Sequence, residues 1–363
     1  MGKNKYKRIV VKIGSSCITN SKGIIAKSIN RIAADCAKLH NEGTEIVLVS
    51  SGAIQLARSY ETSIGTRDIA ELQALSAIGQ PKLMRAYDKA FAKRKLTVAQ
   101  ILLTHQDLGA KVRSLNTINT ITKIIENKII PIVNENDTIS YSEITVGDND
   151  HLAAMVAQAI DAELLIIMTE PDGVFTENPS RLSAKKIEKV KPCDTLQGVT
   201  LKGRSSSGRG GMESKISAIR RITPGGIPAI ICTMHIDKPI LSALSGGGTF
   251  FEPEKKQLTT RQERLVATAK SGANLSIDHG ALNAIKKGSS LLPSGVLGCH
   301  GVFKRGDSIT IKMGKRIVAH GVAEYSSKEV LKIKGLNTKN LKEILPQSHS
   351  KVIVHRNNLV LVR

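Results

Sequence analysis

The sequence contains no tryptophan, few other aromatic residues and no long apolar segment. Its longest apolar stretches, such as residues 9–13 and 164–168, are far shorter than the roughly 20 residues that a helix needs to cross a bilayer. The basic N-terminus is followed by only a few apolar residues, and Tyr6 stands where a myristoylation signal requires Ser or Thr. We therefore expect no membrane span, no export signal and no lipid anchor.

The five cysteines are odd in number, widely spaced and without any CxxC pair. This pattern indicates neither a disulfide framework nor a zinc site, and we expect a protein of the reducing cytoplasm. Lys and Arg total 53 against 31 Asp and Glu, a formal net charge of +22. Such a charge is compatible with binding to nucleic acid, with anionic substrates or simply with a basic proteome.

The first 235 residues alternate short apolar runs with amphipathic stretches, which predicts a mostly parallel sheet covered by helices. Between the first two predicted strands, five apolar residues from Ile29 to Leu39 recur at helical spacing and predict a helix that ends near Gly43. The predicted strands are residues 8–13, 45–50, 97–103, 129–133, 164–168 and 228–232.

After residue 242 the composition changes to Gly, Pro, charged and turn-forming residues with little apolar periodicity. With 363 residues, the chain is long enough for two domains. We predict a first domain over residues 1–252, a linker over 253–269 and a second domain over 270–355. Short alternating runs at 308–313, 316–320 and 351–355, separated by glycine turns, predict a small β-rich barrel there.

Two small-residue loops follow predicted strands: VVKIGSS at residues 10–16 and VSSGAI at 49–54. Gly14 would let the backbone approach a phosphate, and Lys12 would neutralise its charge. Both loops fall at the carboxyl edge of the predicted parallel sheet, where ligands usually bind. Taken singly, the first is also explained as a tight turn and the second as a helix cap.

A dense polar segment follows another predicted strand, with VNEND at residues 133–137 and GDND at 147–150. Its Asn and Asp side chains suit a small zwitterion, or would hold lysines and magnesium in place. A plain helix cap is the alternative, although a cap does not need so many polar groups. Further on, SSSGRGGMESK at residues 205–215 predicts a glycine-rich loop that leads into a helix. There the helix amides and Lys215 would converge on phosphates, unless the loop is only a solvated connection.

In this order, VVKIGSS, SSGAI, VNEND, GDND and GRGGMESK resemble the amino acid kinase superfamily, and within it the members that phosphorylate glutamate. The segment from Arg264 to Val296, together with FKRGD at 303–307, resembles a PUA domain. The resemblance implies an α/β three-layer sandwich with a mostly parallel central sheet, followed by a small β-rich PUA domain. It also implies transfer of the γ-phosphate of ATP to the side-chain carboxylate of L-glutamate, the first step toward proline.

The resemblance also assigns roles to individual residues. Lys12 and Lys215 would stabilise the transferring phosphoryl group, and Asp150 would hold both lysines, so these three are the expected catalytic residues. Mg²⁺ would arrive with ATP, and Asp148 is a candidate for its environment. The expected glutamate-binding residues are Ser51, Asp137, Asn149, Gly52, Ala53 and Asn134. The expected ATP-binding residues are Lys12, Gly14, Thr169, Glu170, Arg209, Gly210, Gly211, Met212, Glu213, Ser214 and Lys215.

The sequence departs from the family pattern at a few of these positions. Glu170 stands where Asp is usual and is followed by Pro171, which has no amide hydrogen. Arg209 replaces a small hydroxyl residue, and Ser214 replaces Thr. These changes predict altered contacts to the nucleotide but leave the reaction class unchanged. Because a carboxylate is already nucleophilic at neutral pH, the reaction needs no general base, and no catalytic His is expected.

The resemblance further implies a homo-oligomer and feedback inhibition by proline, with residues 61–68 as a lid. Two other functions remain open from the sequence. One is an amino acid kinase with another acceptor, such as carbamate, aspartate, acetylglutamate or a nucleoside monophosphate. The other is an RNA-binding protein that uses its PUA domain and retains a degenerate kinase domain, as the basic charge would allow.

Overall fold

The computed structural model describes residues 5–66, 68–140, 149–192, 194, 196, 211–254, 269, 272–346 and 350–362. The chain forms two compact units, of which one comprises Met1–Ala110 with Asn116–Gln257 and the other Lys111–Leu115 with Leu258–Arg363. Within these described ranges, no helix combines the length and the apolar character that a bilayer crossing requires.

The chain as far as residue 254 alternates strands and helices, as the sequence predicted. The strands are β1 Arg8–Ile13, β2 Thr19–Asn20, β3 Gly23–Ile24, β4 Glu45–Ser50, β5 Val98–Leu103, β6 Ile130–Glu135, β7 Leu164–Thr169, β8 Val174–Phe175, β9 Lys186–Ile187, β10 Lys189–Val190, β11 Ala229–Thr233 and β12 Thr249–Phe251. The helices are α1 Ser15–Ile18, α2 Ala26–Asn41, α3 Ala53–Arg58, α4 Ile69–Ala92, α5 His105–Gly109, α6 Lys111–Glu126, α7 Asn149–Ala159, α8 Met212–Ile222 and α9 Pro239–Leu244.

Eight strands form one sheet in the order β10-β12-β11-β7-β1-β4-β6-β5. From β11 to β5 all neighbours are parallel. Strand β12 is antiparallel to β11 and parallel to β10, so β10 and β12 run opposite to the other six strands. The chain continues from β1 to β4 on one side, whereas β7 pairs with β1 on the other side. The carboxyl ends of these three strands therefore border a crevice of the kind in which open α/β sheets bind ligands.

Alternate residues of the central strands face two separate apolar cores. On β1, Ile9, Val11 and Ile13 pack with α2, α4 and α9. Val10 points to the other face, where α6, α7 and α8 pack. The side-chain period of two thus buries both faces of the sheet and gives three layers, which confirms the predicted fold class.

Helix α4 is long and begins with a capping box, in which Asp68 Oδ1 accepts from the Glu71 amide at 2.8 Å and Glu71 Oε2 accepts from the Asp68 amide at 3.3 Å. A glycine fixes where this helix packs. A Cβ atom added at Gly79 would overlap the carbonyl oxygen of Ala53, the first residue of α3. Glycine at this position therefore allows α4 to lie directly against the start of α3.

The second unit contains a five-stranded mixed sheet in the order β14-β13-β15-β16-β17. Its core contains apolar residues such as Leu275, Ile309 and Ala319. The strands are β13 Asn274–Ile277, β14 Val296–His300, β15 Ser308–Met313, β16 Arg316–Val322 and β17 Leu359–Leu361, and the helices are α10 His279–Lys286, α11 Ser327–Ile333 and α12 Leu341–Ile344. The prediction of a β-rich second unit is confirmed.

The strand predicted at residues 351–355 is wrong. Val354 forms only an isolated bridge with Leu291, and the edge strand is β17. Ile353 and Val354 are both fully buried, so the segment crosses the core without the alternation of a strand. Between β14 and β17, no pairing is present among the described residues, and the strand order is open where the sequence predicted a barrel.

Candidate active site

The candidate site lies at the carboxyl edge of the large sheet. Lys12 is near the end of β1, Ser51 directly follows β4, Asn134 is near the end of β6, and Thr169 ends β7. Helix α7 begins at this edge with Asn149 and Asp150, both completely buried. The topology therefore brings together motifs that are more than one hundred residues apart in the sequence.

Lys12, Asp150 and Lys215 form one buried cluster, which we call the ionic end. The Lys12 ammonium lies 2.7 Å from Asp150 Oδ1, and the Lys215 ammonium lies 3.1 Å from Asp150 Oδ2. The two lysine side chains are 5% and 8% exposed, and the aspartate side chain is fully buried. A single carboxylate thus holds two cations from opposite ends of the first unit's sequence.

The electrostatics of the ionic end favour an incoming anion. Burial by itself would raise the pKa of Asp150, but the ammonium groups of Lys12 and Lys215 outweigh it and lower that pKa. Burial lowers the pKa of Lys215, and Asp150 only partly opposes this. Within this cluster two ammonium groups share one carboxylate, so the three side chains together carry more positive than negative charge, as a phosphate site requires.

Next to this cluster, neutral amides and hydroxyls form a connected network. Asn149 Nδ2 lies within hydrogen-bond distance of three acceptors: the Ser50 carbonyl at 2.8 Å, Ser51 Oγ at 2.9 Å and Asn134 Oδ1 at 2.8 Å. Asn134 Nδ2 in turn donates to Gln80 Oε1 at 2.8 Å.

Helix α4 supplies a second connection to the same region, because Ser76 Oγ donates to Asp137 Oδ2 at 3.0 Å. All the residues of this network are at most 8% exposed. We call the network the amide end, and it comprises Asn149, Asn134, Ser51, Asp137, Ser76 and Gln80.

The loop after β4 is held close to the end of β1. The Ser51 amide donates to the Ile13 carbonyl at 3.2 Å. Gly52 has φ +107°, and a Cβ atom there would lie 3.3 Å from Thr19 Cγ2, so both backbone and space favour glycine. Ala53 then begins α3 and contacts Gly79 of α4. The three expected glutamate-binding positions Ser51, Gly52 and Ala53 thus lie together beside the amide end.

The expected nucleotide-binding residues that are described lie in three places. Gly14 caps α1, and a Cβ atom added to it would lie 3.5 Å from the Met168 carbonyl. Thr169 ends β7 and Glu170 follows it. Their carbonyl oxygens accept hydrogen bonds from the Met234 amide and from Thr233 Oγ1, respectively. The third place is the start of α8, with Gly211, Met212, Glu213, Ser214 and Lys215. Asp148, Arg209 and Gly210 lie outside the described residues.

No group of three or more His, Cys, Asp or Glu side chains suited to a metal ion occurs within the described part of the chain. The ionic end contains more cations than carboxylates, so it suits an anion better than a bare metal ion.

Three polar residues of α4 that border the site, Ser76, Gln80 and Tyr87, were not predicted from the sequence. Tyr87 is fully buried, and its hydroxyl lies 2.9 Å from Ser50 Oγ. Gln80 and its partner Asn134 are 54 residues apart, so no local motif connects them. One signal was available: Ser76 and Gln80 are polar residues four apart on the face of α4 that also carries apolar Leu72 and Leu83.

A parallel α/β sheet whose carboxyl edge carries two buried lysines on one aspartate defines an α/β enzyme that handles a phosphate-bearing ligand. The sequence model described as "Amino acid kinase family" matches residues 7–233, more than half of the chain. The chain belongs to the amino acid kinase family. A second match, to the PUA domain, covers residues 274–345.

Two similar curated relatives have the same name. Glutamate 5-kinase of Dictyoglomus turgidum is 40% identical over 367 residues, which cover 99% of this chain and 98% of the relative. Glutamate 5-kinase of Acinetobacter baylyi is 40% identical over 364 residues, which cover 98% and 96%. Among solved structures, carbamate kinase from Giardia lamblia bound to AMP-PNP is similar with a TM-score of 0.50 and 16% identity, covering 69% of this chain and all of that one. This last likeness shows the fold alone.

Proposed function

We propose that this chain catalyses ATP-dependent phosphorylation of the side-chain carboxylate of L-glutamate to L-glutamyl 5-phosphate, the first step of proline biosynthesis. The near full-length similarity to glutamate 5-kinases supports this substrate. The structural observation that carries the proposal is the single buried Asp150, which holds Lys12 and Lys215 directly beside Asn149 of the amide end.

In this proposal the ionic end performs the transfer. Lys12 and Lys215 neutralise the charge that spreads over the oxygens of the transferring phosphoryl group. Asp150 keeps both ammonium groups in place before the substrates bind, so that little reorganisation is needed during the reaction. The attacking glutamate carboxylate is ionised at neutral pH, and alignment replaces a general base.

The amide end binds the amino acid. Ser51, Asp137, Asn149 and Asn134 offer hydroxyl, carboxylate and amide groups to a zwitterion, and Gly52 and Ala53 offer backbone groups. Asn149 Oδ1 is buried and accepts no hydrogen bond from any described residue, so a substrate N–H would satisfy it.

We assign the nucleotide to Gly14, Thr169, Glu170, Met212, Glu213 and Ser214 around the ionic end, together with Arg209, Gly210 and Gly211. Mg²⁺ would arrive on the ATP phosphates and shield their charge. The two lysines and one carboxylate of the ionic end fit a metal held mainly by phosphate oxygens, and the sequence offers Asp148 as an additional candidate ligand.

Four further points remain part of the proposal. The domain boundaries at 252 and 270 are supported by family matches that end at 233 and begin at 274. A reducing cytoplasm is supported by the free thiols of Cys17, Cys36, Cys232 and Cys299.

Proline would compete with glutamate beneath residues 61–68, which precede α4 and its amide-end residues. We also propose a homo-oligomer.

An acceptor screen tests the reaction. Purified protein with ATP, Mg²⁺ and hydroxylamine should form hydroxamate with L-glutamate, because hydroxylamine captures the acyl phosphate. Carbamate, aspartate, acetylglutamate and UMP should release no ADP above background, and Asp150→Ala should abolish turnover. Turnover with one of these acceptors and none with L-glutamate would overturn the proposed substrate.

A further inference from the structure

Gln80 lies at the end of the amide network, on the face of α4 that borders the site. The residue is buried, with only 8% of its surface exposed. Two hydrogen bonds separate it from Asn149: Asn149 Nδ2 to Asn134 Oδ1, and Asn134 Nδ2 to Gln80 Oε1, both at 2.8 Å. Asp150 and the ionic end lie beyond Asn149. Gln80 is thus at the opposite end of the network from the lysines.

The network fixes which way the Gln80 carboxamide points. Asn134 Oδ1 accepts from both the Glu135 amide and Asn149 Nδ2, so the Asn134 amide nitrogen must face Gln80. The Gln80 oxygen is therefore used to accept from Asn134. Gln80 Nε2 donates to no described residue and is not sealed from solvent, which leaves a buried side chain with an oriented, unused donor.

A nearby carboxylate suggests what that donor binds. Ser76 lies one helical turn before Gln80 and donates to Asp137, so Asp137 and Gln80 border the same region of α4. An amino acid has an α-ammonium, which an aspartate suits, and an α-carboxylate, which needs donors. The γ-carboxylate must instead reach the ionic end to be phosphorylated.

We infer that Gln80 Nε2 is a specificity-determining donor to the α-carboxylate of the amino acid substrate. The inference rests on the proposed function, because it assigns the acceptor amino acid to the amide end. It adds a recognition element from α4, whereas the motifs predicted from the sequence all lie in loops at strand ends or at the start of helices α7 and α8.

The test replaces the donor on the protein by an acceptor and, in the ligand, the accepting α-carboxylate by a carboxamide that can donate. Gln80→Glu keeps an oxygen for Asn134 Nδ2 but replaces the donor by an anion. Calorimetry then compares the binding of L-glutamate with that of L-glutamic acid α-amide, whose carboxamide can donate. We expect Gln80→Glu to weaken L-glutamate binding roughly 30-fold, and to reduce the preference for L-glutamate over the α-amide at least about 10-fold.

Two variants control for charge and for loss of the side chain. Ala74→Glu places the same charge on an exposed position of α4 and should leave the preference unchanged. Gln80→Met removes the donor without adding charge, so it should weaken L-glutamate binding with a smaller change in preference. If Gln80→Glu lowers the affinity for both ligands equally, or lowers neither, the inference is overturned and Gln80 has a structural role.

The same experiment separates this inference from the proposed function. If the wild type binds another amino acid and not L-glutamate, the substrate assignment fails, and the preference ratio is measured with that amino acid and its α-amide. A ratio that still changes in Gln80→Glu would support α-carboxylate recognition. If no amino acid binds, both the inference and the proposed function are wrong.

Discussion

The ionic end and the amide end begin on adjacent residues of α7, Asp150 and Asn149, yet different interactions hold them in place. The ionic end buries three charges, whose desolvation is repaid only while all three are present. The amide end contains one carboxylate, Asp137, and otherwise neutral side chains that are fixed by several hydrogen bonds. This difference suggests separate roles, in which the lysines and Asp150 govern the transfer and the hydrogen-bonded network of the amide end governs acceptor binding.

The largest effect is expected when the ionic end loses its carboxylate. Asp150→Asn keeps the shape but removes the carboxylate that pairs with both buried ammonium groups, so we expect kcat to fall by about three orders of magnitude. The variant should also lose about 3 kcal/mol of stability. Steady-state kinetics and thermal unfolding measure both, and ATP should restore part of the lost Tm because its phosphates supply negative charge. No recovery with ATP would argue against a phosphate site at these lysines.

A smaller effect of a different kind is expected at the amide end. Asn149→Asp places a carboxylate against the Ser50 carbonyl and Asn134 Oδ1, which are both acceptors, and it would repel the substrate. We expect KM for L-glutamate to rise roughly 30-fold, with KM for ATP changed less than about twofold. If KM for L-glutamate and KM for ATP rise equally, the amide end does not act on the amino acid alone.

Helix α4 can be displaced without changing any polar residue. Gly79→Ala forces a methyl group against the Ala53 carbonyl, so α4 must move and carry Ser76 and Gln80 with it. We expect a loss of about 2 kcal/mol in the free energy of unfolding and a rise of roughly fivefold in KM for L-glutamate. Gly109→Ala is the matched control, because a Cβ atom added at Gly109 would meet nothing within 4 Å. The free energy of unfolding and KM for L-glutamate should both stay unchanged in this variant.

The smallest effect is confined to alkaline pH. Burial lowers the pKa of Lys215 below its ordinary 10.5, so the free enzyme should lose kcat/KM as pH rises through that lowered pKa. Because the unfolded chain keeps this proton to higher pH, the free energy of unfolding should rise across the same interval. Lys215→Arg should shift the alkaline limb of the pH–rate profile to higher pH, since arginine stays charged. If the alkaline limb does not move in this variant, it reports the ionisation of a group other than Lys215.

The sequence predicted all three residues of the ionic end but only four of the six residues of the amide end, since it missed Ser76 and Gln80. Lys12, Asp150 and Lys215 lie in recognisable motifs, and β1 and β4 have the predicted bounds because each is a short apolar run with clear ends. Gln80 and Tyr87 were missed because α4 reads as an ordinary apolar helix, and its polar contacts depend on Gly79 packing against α3. The strand predicted at residues 351–355 failed for a related reason, since tertiary burial of Ile353 and Val354 outweighed local pattern.

The most direct test of the division between the two ends is to measure kcat and KM for L-glutamate in one assay for Asp150→Asn and Asn149→Asp. We expect each variant to affect a different constant. Asp150→Asn should lower kcat while KM stays within about threefold of the wild type, and Asn149→Asp should raise KM while kcat stays within about tenfold. If kcat falls and KM rises by the same factors in both variants, the two adjacent residues act as a single unit, and transfer and acceptor binding are not separated between the two ends.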